Sequence, residues 1–290
     1  MFNGAISALI TPFRDGLVDE AALRELVEWE IQSGVDGIVP CGSTGESATL
    51  THAEHERVIK LVIEQARRRV PVIAGTGSNS TAEAIRLTAY AREAGADAAL
   101  LLSPYYNKPT QEGIYKHYKM IAASVDLPLI VYNIPGRTAS NILPETFARL
   151  CDIKQIAGIK ESSGSLDQCS DILRLCGERL TLLSGDDSLT LPLMAIGAKG
   201  VVSVATNVVP REMHELAAAA LAGDFDRARM IHFKLLPLIR ALFQETNPIP
   251  VKQACALMRK CTNEMRMPLT PMSQGPADKL RGVMKELRLI

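Results

Sequence analysis

The sequence predicts a closed eight-stranded (β/α) barrel carrying a small C-terminal helical extension. Three observations predict it. A short apolar run followed by an amphipathic stretch recurs eight times, glycines stand where several amphipathic stretches must end, and strand-like runs cease after about Gly223. Repeated strand–helix alternation argues for a parallel sheet closed on itself. A doubly wound open sheet usually has fewer strands and a phosphate-binding glycine loop after the first. Here the first run leads instead into Thr11-Pro-Phe-Arg14.

The runs are, in order, Ala5–Ile10, Gly37–Pro40, Val72–Gly75, Ala98–Leu102, Leu129–Asn133, Ile156–Lys160, Leu180–Ser184 and Gly200–Val204. Such runs suit strands buried on both faces. Between them, Leu23, Leu26, Val27 and Ile31 have helical spacing after Asp19. Thr51-His-Ala-Glu54 and Ser80-Thr-Ala-Glu83 read as capping boxes, and Val58, Leu61 and Val62 share one face beyond the first. Gly34, Gly95 and Gly197 each supply a left-handed stop just before a strand. We divide the chain into a barrel, residues 1–223, and a helical domain, residues 224–290, with Pro237, Pro248, Pro250, Pro268 and Pro271 as punctuation.

The 290 residues are 47% hydrophobic, enough for a large core, and 32 basic residues balance 32 acidic ones. No basic patch dominates, which argues against a nucleic-acid partner, and zero net charge favours self-association. Met1 to Phe13 lacks the pattern of a signal peptide, and the most apolar stretch, Leu235–Phe243, is interrupted by Arg240. A cytoplasmic protein with no membrane partner is expected. Six cysteines without a C-x-x-C pair read as reduced, mostly buried residues, and no metal site is expected. His52 and His55 lie three apart with no further ligands at suitable spacing, so solvated helix residues are the default reading.

Barrel enzymes place their chemistry at the C-terminal ends of strands. Those ends here carry Cys41-Gly-Ser-Thr-Gly-Glu46, Ser103-Pro-Tyr-Tyr-Asn107, Tyr132-Asn-Ile-Pro-Gly-Arg-Thr138, Gly158-Ile-Lys-Glu161, Ser184-Gly-Asp186 and Ser203-Val-Ala-Thr-Asn207. Lys160 follows Ile156-Ala-Gly-Ile159, so apolar walls should enclose its stem. Desolvation lowers a lysine pKa and exposes the neutral amine needed to attack a ketone. A solvated lysine, or one paired with Glu161, fits the same local sequence. Tyr132, at the end of the neighbouring strand, is either a proton shuttle for that amine or a core cap with its hydroxyl in water. Ser43 and Thr44 lie in a glycine-flanked turn whose N–H groups suit a carboxylate, and an ordinary turn has the same composition. Arg137, after a Pro-Gly turn, is either a bidentate carboxylate ligand or a surface arginine.

Taken together, Gly42-Ser-Thr-Gly-Glu46, Tyr105-Tyr-Asn107, Tyr132-Asn-Ile-Pro-Gly-Arg-Thr138, Gly158-Ile-Lys-Glu161 and Asn247-Pro-Ile-Pro-Val-Lys252 resemble the 4-hydroxy-tetrahydrodipicolinate (dihydrodipicolinate) synthase family of class I pyruvate aldolases, almost end to end. The resemblance implies condensation of pyruvate with L-aspartate 4-semialdehyde, the first committed step toward diaminopimelate and lysine, with no cofactor. Lys160 would form the Schiff base, and Tyr132, Ser43 and Tyr106 would relay protons, Tyr106 reaching across from an adjacent subunit. Arg137 would hold the semialdehyde carboxylate, the backbone at Ser43 and Thr44 the pyruvate carboxylate, and Val202 and Gly185 would lie against the substrates. A homotetramer built as a dimer of dimers is implied. So is feedback by L-lysine through Ser47, Ala48, His52, His55, Asn79, Glu83 and Tyr105, although Glu83 also scores as a helix-capping residue. Many members have Thr where this chain has Ser43, which keeps the hydroxyl but frees χ1. The Gly-Ser-Thr-Gly-Glu and Tyr-Asn-Ile-Pro motifs are also similar to N-acetylneuraminate lyase. A sister aldolase acting on sialic acid or a 2-keto-3-deoxy sugar acid is therefore the alternative, and a non-catalytic barrel that senses small keto or amino acids is a third reading. Arg137 favours the synthase, whose substrate has a carboxylate where a sugar-derived aldehyde has hydroxyls.

Overall fold

The computed structural model describes residues 2–290. Eight parallel strands form one sheet: β1 Gly4–Ala8, β2 Gly37–Val39, β3 Ile73–Gly75, β4 Ala98–Leu102, β5 Leu129–Asn133, β6 Ile156–Glu161, β7 Thr181–Ser184 and β8 Gly200–Ser203. Their spatial order is β2-β1-β8-β7-β6-β5-β4-β3. The two ends of that order meet. Ile38 bridges Val72, its N–H donates to Pro71 O at 3.0 Å, and Gly75 N–H donates to Pro40 O at 2.9 Å. The sheet is thus a barrel, as the sequence predicts.

Successive strand residues point to opposite faces, and two apolar clusters separate accordingly. Ile6, Val39, Ile73, Leu100, Ile130, Tyr132, Leu183 and Val202 pack together inside the barrel. Ala5, Ile38, Ala74, Leu101, Val131, Ile159, Leu182 and Val201 face outward into the larger cluster beneath the helices. Those helices are α1 Glu20–Gln32, α2 His52–Ala66, α3 Thr81–Ala94, α4 Gln111–Ser124, α5 Pro144–Leu150, α6 Leu166–Cys176, α7 Thr190–Ala195 and α8 Pro210–Leu221. Gly34, Gly95 and Gly197 all have positive φ at the expected stops.

Thr51 forms the expected capping box. Its hydroxyl accepts from Glu54 N–H at 3.2 Å, and Glu54 Oε2 accepts from Thr51 N–H at 2.9 Å. The second expected box does not form. Ser80 makes no side-chain cap, because Glu83 is committed elsewhere: it accepts from Ser78 Oγ and lies 2.8 Å from His52 Nε2. A short antiparallel hairpin, Phe13–Arg14 with Leu17–Val18, was not expected.

Beyond α8 come α9 Phe225–Ala241, α10 Ile249–Leu257 and α11 Gln274–Glu286. Pro237 does not punctuate this segment but sits inside α9. A mid-helix proline costs about 3 kcal/mol, and burial of Leu235, Leu238 and Ile239 against the barrel layer offsets it. No helix among the described residues is long and apolar enough to cross a membrane. All six cysteines are free.

Candidate active site

Lys160 and Tyr132 are paired residues of β6 and β5. Paired positions in parallel strands share a face, and here that face is the barrel interior. Lys160 is only 6% exposed, and its Nζ sits 4.1 Å from the centroid of the Tyr132 ring. Burial lowers the lysine pKa from 10.5 to about 8, the carboxylates of Asp186 and Asp187 resist that shift, and Arg137 adds to it. At pH 7.4 such an amine is roughly 20% neutral, against ~0.1% for a free lysine. Burial pushes the Tyr132 phenol up, while Ser162 and Arg137 pull it back. Burial thus keeps the Tyr132 phenol protonated and gives Lys160 a usable fraction of neutral amine inside the barrel.

Glu161 does not pair with Lys160. The next residue along a strand faces the other way, and Glu161 accepts from Ser163 N–H at 2.6 Å, Asn133 Nδ2 at 3.0 Å and Gln168 Nε2 at 3.4 Å. Asn133 also donates to Asn141 Oδ1 at 2.8 Å and accepts from Ile142 N–H at 3.0 Å. This network behind β5 and β6 fixes the strand ends that carry Tyr132 and Lys160.

The loop after β2 is folded by its own backbone. Gly45 N–H donates to Gly42 O at 3.0 Å and Glu46 N–H to Ser43 O at 3.2 Å. Among the described residues, the N–H groups of Ser43 and Thr44 have no intramolecular acceptor, the arrangement a carboxylate requires. Thr44 Oγ1 accepts from Asn247 Nδ2 at 3.0 Å, and Asn247 O accepts from Arg137 Nη2 at 2.8 Å. The C-terminal segment thus ties the β2 loop to the single helical turn Pro135–Thr138 that bears Arg137. Glu46 continues the junction through a buried ion pair with Lys252.

Gly185 follows β7 where no side chain fits. A Cβ there would overlap Ser162 Oγ and come within 3.0 Å of Lys160 Cε. Asp187 Oδ2 accepts from the N–H groups of Val204 and Ala205, each at 3.1 Å, and so holds the end of β8 beside Val202. Burial raises the Asp187 pKa to about 6. Asn207 closes the mouth between β8 and β1, accepting from Ile10 N–H at 3.0 Å and donating to Ala8 O at 2.8 Å.

Tyr106 stands apart from this group. It is 89% exposed on the loop after β4, with φ of 71°. No hydrogen bond joins Ser43 to Tyr132 or either to Tyr106 among the described residues. A second group gathers near α2 and α3: His52 with Glu83, and Asn79 Nδ2 donating to Tyr105 O at 3.2 Å. Ser47 and Ala48 lie in the short turn Ser47–Thr49 that precedes α2. His55 is not a solvated helix residue but is 7% exposed, and burial lowers its pKa to about 4. Its position one turn along α2 from Thr51 aims it at the barrel, which three-residue spacing from His52 does not reveal.

Sequence reasoning missed Asn247, Asp187, Asn133 and Ser162. Asn247 and Asn133 stand inside quoted motifs without a role of their own, and Asp187 and Ser162 each follow directly on a quoted motif, which was the available signal.

The model of the Dihydrodipicolinate synthetase family matches residues 1–287. The chain belongs to that family. A 4-hydroxy-tetrahydrodipicolinate synthase from Syntrophus aciditrophicus is 58% identical over 290 residues, covering 100% of both chains. The solved structure of a chloride-inhibited dihydrodipicolinate synthase from Acinetobacter baumannii complexed with pyruvate is 45% identical, with TM-score 0.98 and 100% of both chains covered. A second solved structure, of DHDPS from Cyanidioschyzon merolae with lysine bound, is 40% identical, with TM-score 0.97, covering 100% of this chain and 99% of that one.

Proposed function

We propose that this chain condenses pyruvate with L-aspartate 4-semialdehyde to give 4-hydroxy-tetrahydrodipicolinate, the first committed step toward diaminopimelate and L-lysine. The observation that carries this reading is the desolvated Lys160 amine packed on Tyr132 at the barrel mouth. The neutral amine attacks pyruvate C2. Tyr132 gives a proton to the resulting hydroxyl, which leaves as water, and Lys160 Nζ becomes an iminium nitrogen. The Tyr132 phenolate takes a proton from C3 to give an enamine, whose C3 attacks the aldehyde carbon, and the alkoxide that forms takes that proton from Tyr132. The semialdehyde amino group then displaces Lys160 at C2 and closes the ring. Ser43 and Thr44 N–H groups receive the pyruvate carboxylate, Arg137 receives that of the semialdehyde, and Val202 and Gly185 border the reacting carbons. Borohydride reduction in the presence of pyruvate should leave a stable adduct on Lys160 by mass spectrometry. Coupled turnover should be seen with the semialdehyde and not with N-acetylneuraminate or 2-keto-3-deoxygluconate; the reverse preference would sink the assignment.

The relay needs a second copy. Tyr106 is exposed and unpartnered by the other relay residues in its own chain, and we read the assembly as a tetramer, a dimer of dimers, in which Tyr106 enters a neighbour's site. Lys160→Ala and Tyr106→Phe chains should each be poorly active, and mixing them through a dissociation step should restore wild-type sites in the hybrid dimers. L-lysine is the proposed effector, bound by Glu83, Asn79, His52, His55, Tyr105, Ser47 and Ala48. The joining of Asn79 to the Tyr105 backbone, next to Tyr106, gives it a route to the relay. Activity that stays flat up to millimolar lysine removes this claim. Six free cysteines fit a reducing cytoplasm. The chain divides, on this reading, into a catalytic barrel, residues 1–223, and a helical domain, residues 224–290, that braces its mouth.

A further inference from the structure

Ser162 is a polar side chain at the centre of the site that the mechanism above leaves unused. It follows β6 directly, and its N–H donates to Asn133 O at 2.9 Å, which pins it to the residue after Tyr132. Its Oγ is buried and has no hydrogen-bond partner. The neighbouring glycine is shaped around it, since a Cβ on Gly185 would occupy the space of that oxygen, and Gly185 N–H is held by Glu161 O at 2.8 Å. A buried hydroxyl with no partner costs stability, so its retention beside two reacting groups calls for a role.

We propose that Ser162 is a positioning residue for Tyr132, its hydroxyl turning to donate to the phenolic oxygen when that oxygen becomes negative during Schiff-base formation. The inference rests on the Schiff-base reading of Lys160. In the step concerned, Tyr132 transfers its proton to the carbinolamine hydroxyl, the C–O bond breaks, and water leaves. The phenolate that remains is transient and lies in a dry pocket where each donor counts heavily. Ser162 keeps its own proton throughout and supplies only the hydrogen bond. It stands in the same chain as Tyr132, so this support does not depend on a neighbouring subunit. Its proximity already opposes the upward push of burial on the phenol.

The test is a double-mutant cycle of Ser162→Ala and Tyr132→Phe, read as the single-turnover rate of borohydride-trappable pyruvate adduct on Lys160. Ser162→Ala should slow adduct formation roughly three- to ten-fold in the wild-type background, leave the KM for pyruvate nearly unchanged, and have no further effect once Tyr132 is phenylalanine. An equal loss in both backgrounds marks a merely structural role and overturns the proposal, as does no loss in either. Ser162→Thr, which keeps the hydroxyl, should recover part of the rate; a rate as low as that of Ser162→Ala, in a folded variant, also counts against it. Absence of any adduct in the wild-type protein would overturn the Schiff-base reading itself, an outcome distinct from a failed cycle.

Discussion

Lys252 and Lys160 are both buried and both stacked on an aromatic ring, 4.2 Å from the Phe13 centroid and 4.1 Å from that of Tyr132. Their surroundings differ in one respect. Lys252 pairs with Glu46 and donates to Glu264 O at 3.0 Å. Lys160 has no carboxylate at bonding distance among the described residues, and Asp186 and Asp187 reach it only through their fields. Burial lowers both pKa values, but at Lys252 the carboxylate of Glu46 opposes the shift directly. Burial alone therefore does not make a nucleophile. The junction between the β2 loop and the C-terminal helices uses a buried ammonium as a bolt, and the β5–β6 mouth withholds the partner so that the proton can leave.

The largest expected effect separates the two. Lys160→Ala should abolish the pyruvate adduct and reduce turnover by at least ~10⁴-fold, about 5 kcal/mol of transition-state stabilisation, while leaving the urea midpoint intact or higher. Lys252→Ala should instead lower the midpoint. A Lys252 adduct, or turnover surviving in Lys160→Ala, would exchange the roles assigned to them.

Glu46→Gln attacks the bolt from its other side. It leaves a buried ammonium without its counter-charge, and breaking such a pair costs about 3–5 kcal/mol. Chemical denaturation should show that loss. Because Asn247 and Thr44 share the junction, the KM for pyruvate should rise with it. A loss under 1 kcal/mol would mean that Lys252 is held by Glu264 O and the Phe13 face alone.

The third effect is a stability change of opposite sign at neutral pH when each lysine is replaced by methionine, with a pH dependence at Lys160. The folded pKa of Lys160 lies at about 8, below its ordinary 10.5. The unfolded chain binds the extra proton between those values, so Lys160 costs stability in full below pH 8, and the cost fades as pH rises toward 10.5. Lys160→Met should therefore be more stable than wild type by about 3 kcal/mol near pH 7, with the two unfolding curves converging above pH 10. Lys252→Met should be less stable at pH 7, because it strands Glu46 without its counter-ion.

The barrel was legible because each strand is an apolar run and each helix carries its own stop, both local signals. Lys160 and Tyr132 were visible as polar residues terminating such runs, and parallel register does the rest by pairing them. The bolt was not legible in the same way. Glu46 and Lys252 are 206 residues apart, and nothing in the neighbourhood of either says that it will be buried. The Ser80–Glu83 spacing satisfied a local rule that tertiary contacts with Ser78 and His52 overrode. His55 misled for the same reason, since exposure follows from which way α2 faces and not from the histidine spacing. Ser162 is one of four serines close together in Ser162-Ser-Gly-Ser165-Leu-Asp-Gln-Cys-Ser170, and only the contact with Gly185 distinguishes it.

That contact yields the smallest of the expected effects and the one that most sharpens the contrast between mouth and bolt. Gly185→Ala places a methyl group onto Ser162 Oγ and 3.0 Å from Lys160 Cε. Overpacking of this kind costs about 1–3 kcal/mol, and here the strain falls on the nucleophile, so the rate of adduct formation should drop along with stability. Removing the hydroxyl by Ser162→Ala relieves the overlap but not the approach to Lys160 Cε or to Ser162 Cβ at 3.1 Å. Gly185→Ala should consequently cost about 1 kcal/mol less in the Ser162→Ala background than alone, measured by urea denaturation, while adduct formation stays slow in both. Full additivity would mean that the Ser162 side chain swings clear and that Gly185 is glycine for the sake of Lys160 only. Either result reports on the mouth, where atoms are packed around a side chain that must stay free to react. At the bolt, Lys252 is held by Glu46, Glu264 O and the Phe13 ring, and no such freedom is kept.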